Sequence, residues 1–201
     1  MDDLHELWTT SAVTIGGHES PVGQSDEWLT PRDIIANLGP FDLDPCTPVE
    51  QPYPTAARRF TKNDLMPIWD DDDFVWLNPP YSSIGIWMAQ LAVHPGGGIA
   101  LVFARTETRW FVTTVWQQAT SVAFLHGRVD FTPLDGLFVG KRGNAGAPSV
   151  LVAYGEKAHE RLERLHRPAT LLRIPRPKRQ TVTSVSIGQS SLDHLPPEEP
   201  Q

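Results

Sequence analysis

The 201-residue chain has a single cysteine, Cys46, so no disulfide can form within it. Nor does any cluster of Cys and His stand at metal-ligand spacing, which argues against a structural zinc and points any cofactor toward an organic molecule. Long apolar runs are also missing. The stretch Gly98–Ala104 falls far short of the roughly 20 residues needed to cross a bilayer, and the acidic N-terminus lacks the charge pattern of a signal peptide. The expectation is a soluble, cytoplasmic protein that does not engage a membrane. A phosphate loop is absent too: Pro95-Gly96-Gly97-Gly98 is followed by no Lys-Ser or Lys-Thr, so it reads as a turn before a strand.

What remains is the content of one ordinary domain, 40% hydrophobic and able to bury a core. The net charge of −7 is unevenly spread. Residues 1–50 carry ten acids and one base, residues 51–150 eight of each, residues 151–179 eight bases and three acids, and residues 180–201 three acids alone. An acidic total excludes a non-specific nucleic-acid coat but leaves room for a local basic grip. Residues 1–26 mix polar and apolar residues without a period and read as a flexible arm; residues 180–201 read as a disordered tail. The domain is therefore expected over 27–179.

Between the tails, strand and helix patterns alternate. Thr30-Pro31-Arg32-Asp33 followed by Ile34, Ile35 and Leu38 predicts a helix capped by Thr30 and stopped at Gly39. Strands are predicted at Phe41–Asp44, Phe74–Leu77, Ile99–Ala104, Val122–Leu125 and Val150–Tyr154. Ile84, Trp87, Met88 and Leu91 recur at helical spacing, as do Val112, Val115, Trp116 and Ala119. His159 and His166, seven apart on a basic C-terminal helix, are expected at the surface. This alternation implies an α/β fold, a single compact domain whose mostly parallel twisted sheet is covered on both faces. Only about thirty residues separate the first strand from the second, so a trimmed sheet edge is expected, with one short strand near Arg59-Phe60-Thr61. The acidic run Asp70–Asp73 reads as a solvated turn, since alternating side-chain directions keep four consecutive carboxylates off one ion.

The most specific signal is Asn78-Pro79-Pro80-Tyr81, directly after the strand Phe74–Leu77. In an open α/β sheet, ligands bind beyond the carboxyl ends of strands. Two prolines stiffen the backbone after Asn78 and aim its side-chain oxygen and a prolyl carbonyl at one point. Two convergent acceptors hold a primary amine. An exocyclic amine such as that of adenine is a poor nucleophile, and holding both its hydrogens favours a pyramidal nitrogen with a free lone pair. Tyr81 offers a face for a base to stack on. The bland alternative is a turn that merely ends the strand.

With these elements in order, the chain resembles the phage DNA N-6-adenine methyltransferases, related to the Dam-type enzymes. The resemblance runs over about residues 27–155 and rests on Glu27–Pro31, Phe41–Cys46, Phe60–Leu65, Trp69, Asn78–Ser82, Ala104–Phe111 and Gly127–Phe131. It implies a Rossmann-like methyltransferase fold, S-adenosylmethionine as methyl donor, adenine in DNA as acceptor, and protection of phage DNA from restriction as purpose. Thr30, Pro31, Asp42, Asp44, Pro45 and Asp64 would then line the cofactor site, although Asp44-Pro45-Cys46-Thr47-Pro48 replaces the usual glycine-rich turn. Asp42 facing solvent, Asp44 in an Asx turn and Asp64 capping a local turn are the alternatives. Arg105, Thr106, Arg109 and Trp110 would meet the target strand, with a surface ion network around Glu107 as the alternative. Lys141, Arg142 and the segment Lys157–Arg179 would add phosphate contacts, unless Arg161 and Arg164 pair with Glu160 and Glu163 along a helix. Loops over Asp130–Pro148 would carry sequence specificity. A monomer acting on DNA in the host cytoplasm is expected. RNA or protein glutamine as acceptor, and a catalytically idle DNA-binding protein on the same scaffold, are the competing readings.

Overall fold

Apolar residues on both sides of the central strands decide the architecture. The computed structural model of the protein describes residues 28–49, 51–64, 68–133, 143–144 and 147–175. Its strands are β1 Trp28–Leu29, β2 Leu43–Asp44, β3 Arg58–Arg59, β4 Val75–Leu77, β5 Gly98–Phe103, β6 Ser121–Leu125, β7 Asp130–Pro133, β8 Gly143–Asn144, β9 Ser149–Tyr154 and β10 Ala169–Arg173. Helices α1 Arg32–Leu38, α2 Ile84–Val93 and α3 Glu156–Glu163 accompany them, with a π-helical segment at Phe111–Trp116. Among the described residues, seven strands form one sheet in the order β10-β6-β9-β5-β4-β2-β3, and β1-β7-β8 form a smaller one.

Pleating sends successive side chains to opposite faces. Trp76, Ile99, Leu101, Leu151 and Ala153 meet α1 through Ile34, Ile35 and Leu38, and α3 through Ala158 and Leu162. Val75, Leu77, Ala100, Val102, Val150 and Val152 meet Ile84, Met88 and Leu91 of α2, and Phe111 and Val115 of the π-helical segment. Each fully buried side chain of this kind contributes about 1.5–3 kcal/mol, so both faces hold the sheet rigid beneath its carboxyl edge.

The expectation of a mostly parallel sheet is corrected to a mixed one. Strands β3, β2, β4 and β5 pair in parallel, whereas β9 runs antiparallel to β5 and β6, and β10 antiparallel to β6. The connections explain this. From β6 to β9 the described residues pass through β7 and β8, and the chain re-enters the sheet at the edge where it left and so runs back. The trimmed edge is present: β3 is two residues long and, among the described residues, no helix links it to β2.

Four local readings change. Thr30 does not cap α1; Pro31 holds that position without a side-chain cap, and the helix starts at Arg32. The wider π-helical turn exposes Val112 and Trp116 and buries Phe111 and Thr114 with Val115, shifting the predicted stripe. His159 is buried, its Nδ1 3.0 Å from Ser121 Oγ, while His166 is exposed and lies beyond α3. The basic C-terminal segment holds a short helix and then β10, which pairs with β6. Residues 1–26, Lys141, Arg142 and 180–201 lie outside the described residues. No described helix is long and apolar enough to cross a membrane.

Candidate active site

The sheet's order of assembly marks a position for a site before any side chain is considered. From β2 the chain moves to β3 on one side, and it then returns to lay β4 and β5 on the other. The topological switch therefore falls between β2 and β4, and ligands in open α/β sheets bind at the carboxyl ends of the strands flanking it. Those ends carry Asp44 and Asn78.

Asn78 follows β4, half-buried. Its Nδ2 donates to Thr30 Oγ1 at 3.2 Å. Thr30 is 3% exposed, and its carbonyl accepts a hydrogen bond from the Tyr53 hydroxyl. Pro80 is extended, and its carbonyl accepts the Ser83 N–H at 3.2 Å, closing a 3₁₀ turn over Tyr81–Ser83. Of the two prolyl carbonyls, Pro80's is thus spent on the turn. Tyr81 stacks on Phe103 at the end of β5, with ring centroids 4.6 Å apart and planes 19° apart. The Phe103 N–H donates to the Tyr81 oxygen at 2.6 Å, and burial pushes the phenol's pKa well up, so the hydroxyl stays protonated.

At the neighbouring strand end, Asp44 is 2% exposed. It accepts from the Cys46 N–H at 3.0 Å and from the Thr55 hydroxyl, and so ties the turn after β2 to the loop that leads into β3. Burial raises its pKa against the opposing effect of those hydrogen bonds. Burial also pushes the Cys46 thiol up, with the Asp44 charge adding to it, so Cys46 is no thiolate nucleophile. Asp42 lies at the other end of β2, where its carboxylate accepts the Phe74 N–H at 2.8 Å. Asp64 is exposed and caps a local turn, accepting from the Thr61 N–H at 2.6 Å and hydroxyl at 2.9 Å, and the Thr61 amide holds its pKa below the usual carboxylate range. Pro45 is buried in the turn after β2, and Pro31 precedes α1.

A cleft of about 350 Å³ opens between that turn and β3, lined by Thr47, Pro48, Val49, Gln51, Ala57, Arg59 and Thr61. The Gln51 carboxamide beside it is buried, and among the described residues neither Nε2 nor Oε1 makes a well-formed hydrogen bond; the nearby Tyr53 phenol donates to the Thr30 carbonyl. Sequence reasoning missed Gln51, Tyr53 and Thr55 because they sit in a loop without period, took Arg59 and Thr61 only as part of a short edge strand, and missed Phe103 as one more apolar strand residue.

Arg105, Thr106, Arg109 and Trp110 follow β5 at the same edge. Arg105 and Arg109 are exposed, and no ion pair joins either to Glu107 among the described residues. Trp116 Nε1 donates to the Thr106 carbonyl at 3.2 Å, and the Thr108 hydroxyl to the Arg105 carbonyl at 2.7 Å, which fix the loop's path. Three of the described bases of the C-terminal segment are engaged elsewhere. Lys157 stands over the Phe74 ring at 4.3 Å, Arg161 donates to the Leu38 and Gly39 carbonyls, and Arg173 pairs with Glu156, all at the opposite edge of the sheet. The predicted pairing of Arg161 with a neighbouring glutamate is likewise replaced by this cap. The acidic run does not form a metal cluster among the described residues: Asp73 is buried and bonded to Arg58, which also pairs with Asp70 at 2.8 Å, and Asp71 and Asp72 are exposed.

The chain is 31% identical over 116 residues to a DNA N-6-adenine-methyltransferase of Escherichia phage T1, a match covering 54% of this chain and 48% of that relative. The chain thus matches about half the length of that curated relative. No solved structure matches. Residues 17–170 match the family described as DNA N-6-adenine-methyltransferase (Dam), and with more than half its length matched the chain belongs to that family.

Proposed function

We propose that the protein transfers a methyl group from S-adenosylmethionine to the exocyclic N6 amine of adenine in DNA, on a Rossmann-like domain spanning residues 27–179. The observation that carries this reading is the position of Asn78-Pro79-Pro80-Tyr81 at the carboxyl end of β4, beside the topological switch. Asn78 Oδ1 and the Pro79 carbonyl accept the two amine hydrogens, since the Pro80 carbonyl is taken by Ser83. With both hydrogens held, the nitrogen pyramidalises and its lone pair becomes available. Tyr81 has one ring face on Phe103 and takes a flipped base on the other. Once methylated, the cationic nitrogen loses its proton to water without a dedicated base.

The donor set fits a nucleoside-sized polar ligand. A cleft of about 350 Å³ is within the usual range for small-molecule sites, and the buried Gln51 carboxamide, Thr47, Thr61 and Arg59 provide donors and acceptors along its wall. S-adenosylmethionine, when bound, supplies an electrophilic methyl group. Asp44 shapes the turn at one side of the cleft through Cys46 and Thr55, and Asp64 holds Thr61 at the other. Thr30, Pro31 and Pro45 border this region, whereas Asp42 faces the amino-terminal end of β4 and is left out of the site. Arg105, Thr106, Arg109 and Trp110 meet the DNA, with Lys141 and Arg142 between β7 and β8 adding phosphate contacts. The expected setting is the cytoplasm of a phage-infected cell, where methylation protects phage DNA from restriction.

Incubation with labelled S-adenosylmethionine and, separately, duplex DNA, RNA and a glutamine-bearing protein tests the reading, with modified nucleosides identified by mass spectrometry. N6-methyladenine from DNA is expected, abolished by Asn78→Ala while calorimetric cofactor binding survives. Label in RNA or protein alone, or full turnover by Asn78→Ala, overturns the assignment.

A further inference from the structure

We propose that Thr30 is a positioning residue that anchors the Asn78 carboxamide by accepting from Nδ2 while Oδ1 meets the amine, an inference that rests on the role given to Asn78 above. The oxygen and nitrogen of a carboxamide are nearly equal in size, so sterics alone do not choose between its two flips. The chemistry does choose. An amine presents only hydrogens to its acceptors, and an Asn78 turned to offer Nδ2 would set donor against donor. The productive flip puts Oδ1 toward the amine and sends Nδ2 to the opposite side, where its hydrogens need an acceptor.

Thr30 Oγ1 is that acceptor, 3.2 Å from Nδ2 and on a residue only 3% exposed. Two independent contacts hold Thr30 in place. Leu29, its neighbour in β1, pairs with Thr132 of β7, and the Tyr53 hydroxyl donates to the Thr30 carbonyl. The residue thus bridges the small sheet, the loop of the cleft and the end of β4. Expected from its sequence context to cap α1, Thr30 instead turns its hydroxyl to Asn78. With an amine bound, only the productive flip satisfies both ends of the carboxamide. Removing the acceptor takes the hydrogen bond to Thr30 away from Nδ2 in that flip, a loss equivalent to about tenfold in rate.

The test compares wild type, Thr30→Val, Thr30→Ser and Thr30→Ala for kcat and KM on an adenine-containing duplex, with cofactor affinity measured by calorimetry. Thr30→Val is expected to lower kcat about tenfold with cofactor affinity within about twofold, and Thr30→Ser to restore most of the rate because it keeps the acceptor. Should valine prevent folding, as a thermal melt would show, Thr30→Ala removes the same acceptor without crowding and carries the same expectation. Unchanged kcat in the variants lacking the hydroxyl overturns the inference. So does weakened cofactor binding with kcat intact at saturation, which would make Thr30 a cofactor contact. Equal loss in Thr30→Ser and Thr30→Val also overturns it, because packing of the methyl group would then be the cause. Wild type that methylates no DNA overturns the parent reading as well; wild-type transfer that survives Thr30→Val overturns this inference alone.

Discussion

Tyr81 shows how one side chain serves two structures at once. Its ring lies on Phe103 and its oxygen accepts the N–H of the same residue, so ring and hydroxyl make separable contributions. Tyr81→Phe leaves the Phe103 N–H without that acceptor and should cost about 1 kcal/mol of stability, while keeping the face on which a base stacks. Tyr81→Ala removes that face, and base stacking is worth about 1–3 kcal/mol, so methyl transfer should fall between about tenfold and a hundredfold. Urea unfolding and single-turnover rates on both variants separate the two effects; equal rate losses would assign the catalytic part to the hydroxyl. Asp44 makes a different prediction, because burial raises its folded pKa above the unfolded value. The folded state then binds the proton more tightly, so this group's contribution to stability is fully present below the unfolded pKa and is lost as pH rises through the folded one. Asn at this position does not titrate. Unfolding free energies of wild type and Asp44→Asn without cofactor, followed upward from about pH 4, should therefore shift in favour of the variant and level off once the pH has passed the folded pKa. A difference independent of pH would mean that Asp44 titrates alike in both states.

At the scale of elements, legibility followed the strength of local patterning. The strands β4, β5, β6 and β9 were readable because each is an apolar run long enough to be buried on both faces, and α2 because Ile84, Met88 and Leu91 keep one helical stripe. Strands β1 and β8 are two residues long, and their existence depends on pairing with β7, which no local signal encodes. The tetrapeptide was legible since prolines after a buried strand are a strong local constraint, whereas the Thr30 contact spans 48 residues and follows only from the fold. Arg161 is the sharpest case of a charge whose role is invisible in sequence. It looks like a phosphate grip or a helix-surface pair, and it instead caps the carbonyls at the end of α1. Charged hydrogen bonds of this kind contribute about 1.5–3 kcal/mol. Arg161→Ala should thus lower the unfolding free energy by about 2 kcal/mol without changing DNA affinity, and the exposed Arg164→Ala should stay within about 0.5 kcal/mol. Urea titration beside a binding isotherm checks both, and weakened binding by folded Arg161→Ala would return this residue to the DNA surface.

For the whole molecule, cations sit at both edges of the sheet, and the proposed function makes their placement decide where DNA would be held. Asn78, Tyr81, Arg105 and Arg109 share the carboxyl edge, where β6 also gives rise to β7 and the small sheet. Lys157, Arg161 and Arg173 lie at the other edge, each already engaged by Phe74, by the end of α1 or by Glu156. A duplex that delivers an adenine to Tyr81 cannot also lie along the far edge of the same sheet. The acidic chain must therefore draw its phosphate contacts from the few exposed cations beside the tetrapeptide, and every phosphate left unneutralised should reduce the salt slope of binding by about 0.9. Arg105→Ala/Arg109→Ala should flatten the dependence of log affinity on log salt by up to about 1.8, whereas Lys157→Ala/Arg173→Ala should leave slope and affinity near wild type. Titrating an adenine-containing duplex from low to moderate salt, with circular dichroism to establish that each variant is folded, compares the two edges directly. A flattened slope in the Lys157/Arg173 variant with an unchanged one in the Arg105/Arg109 variant would place the DNA on the amino edge and detach it from the tetrapeptide.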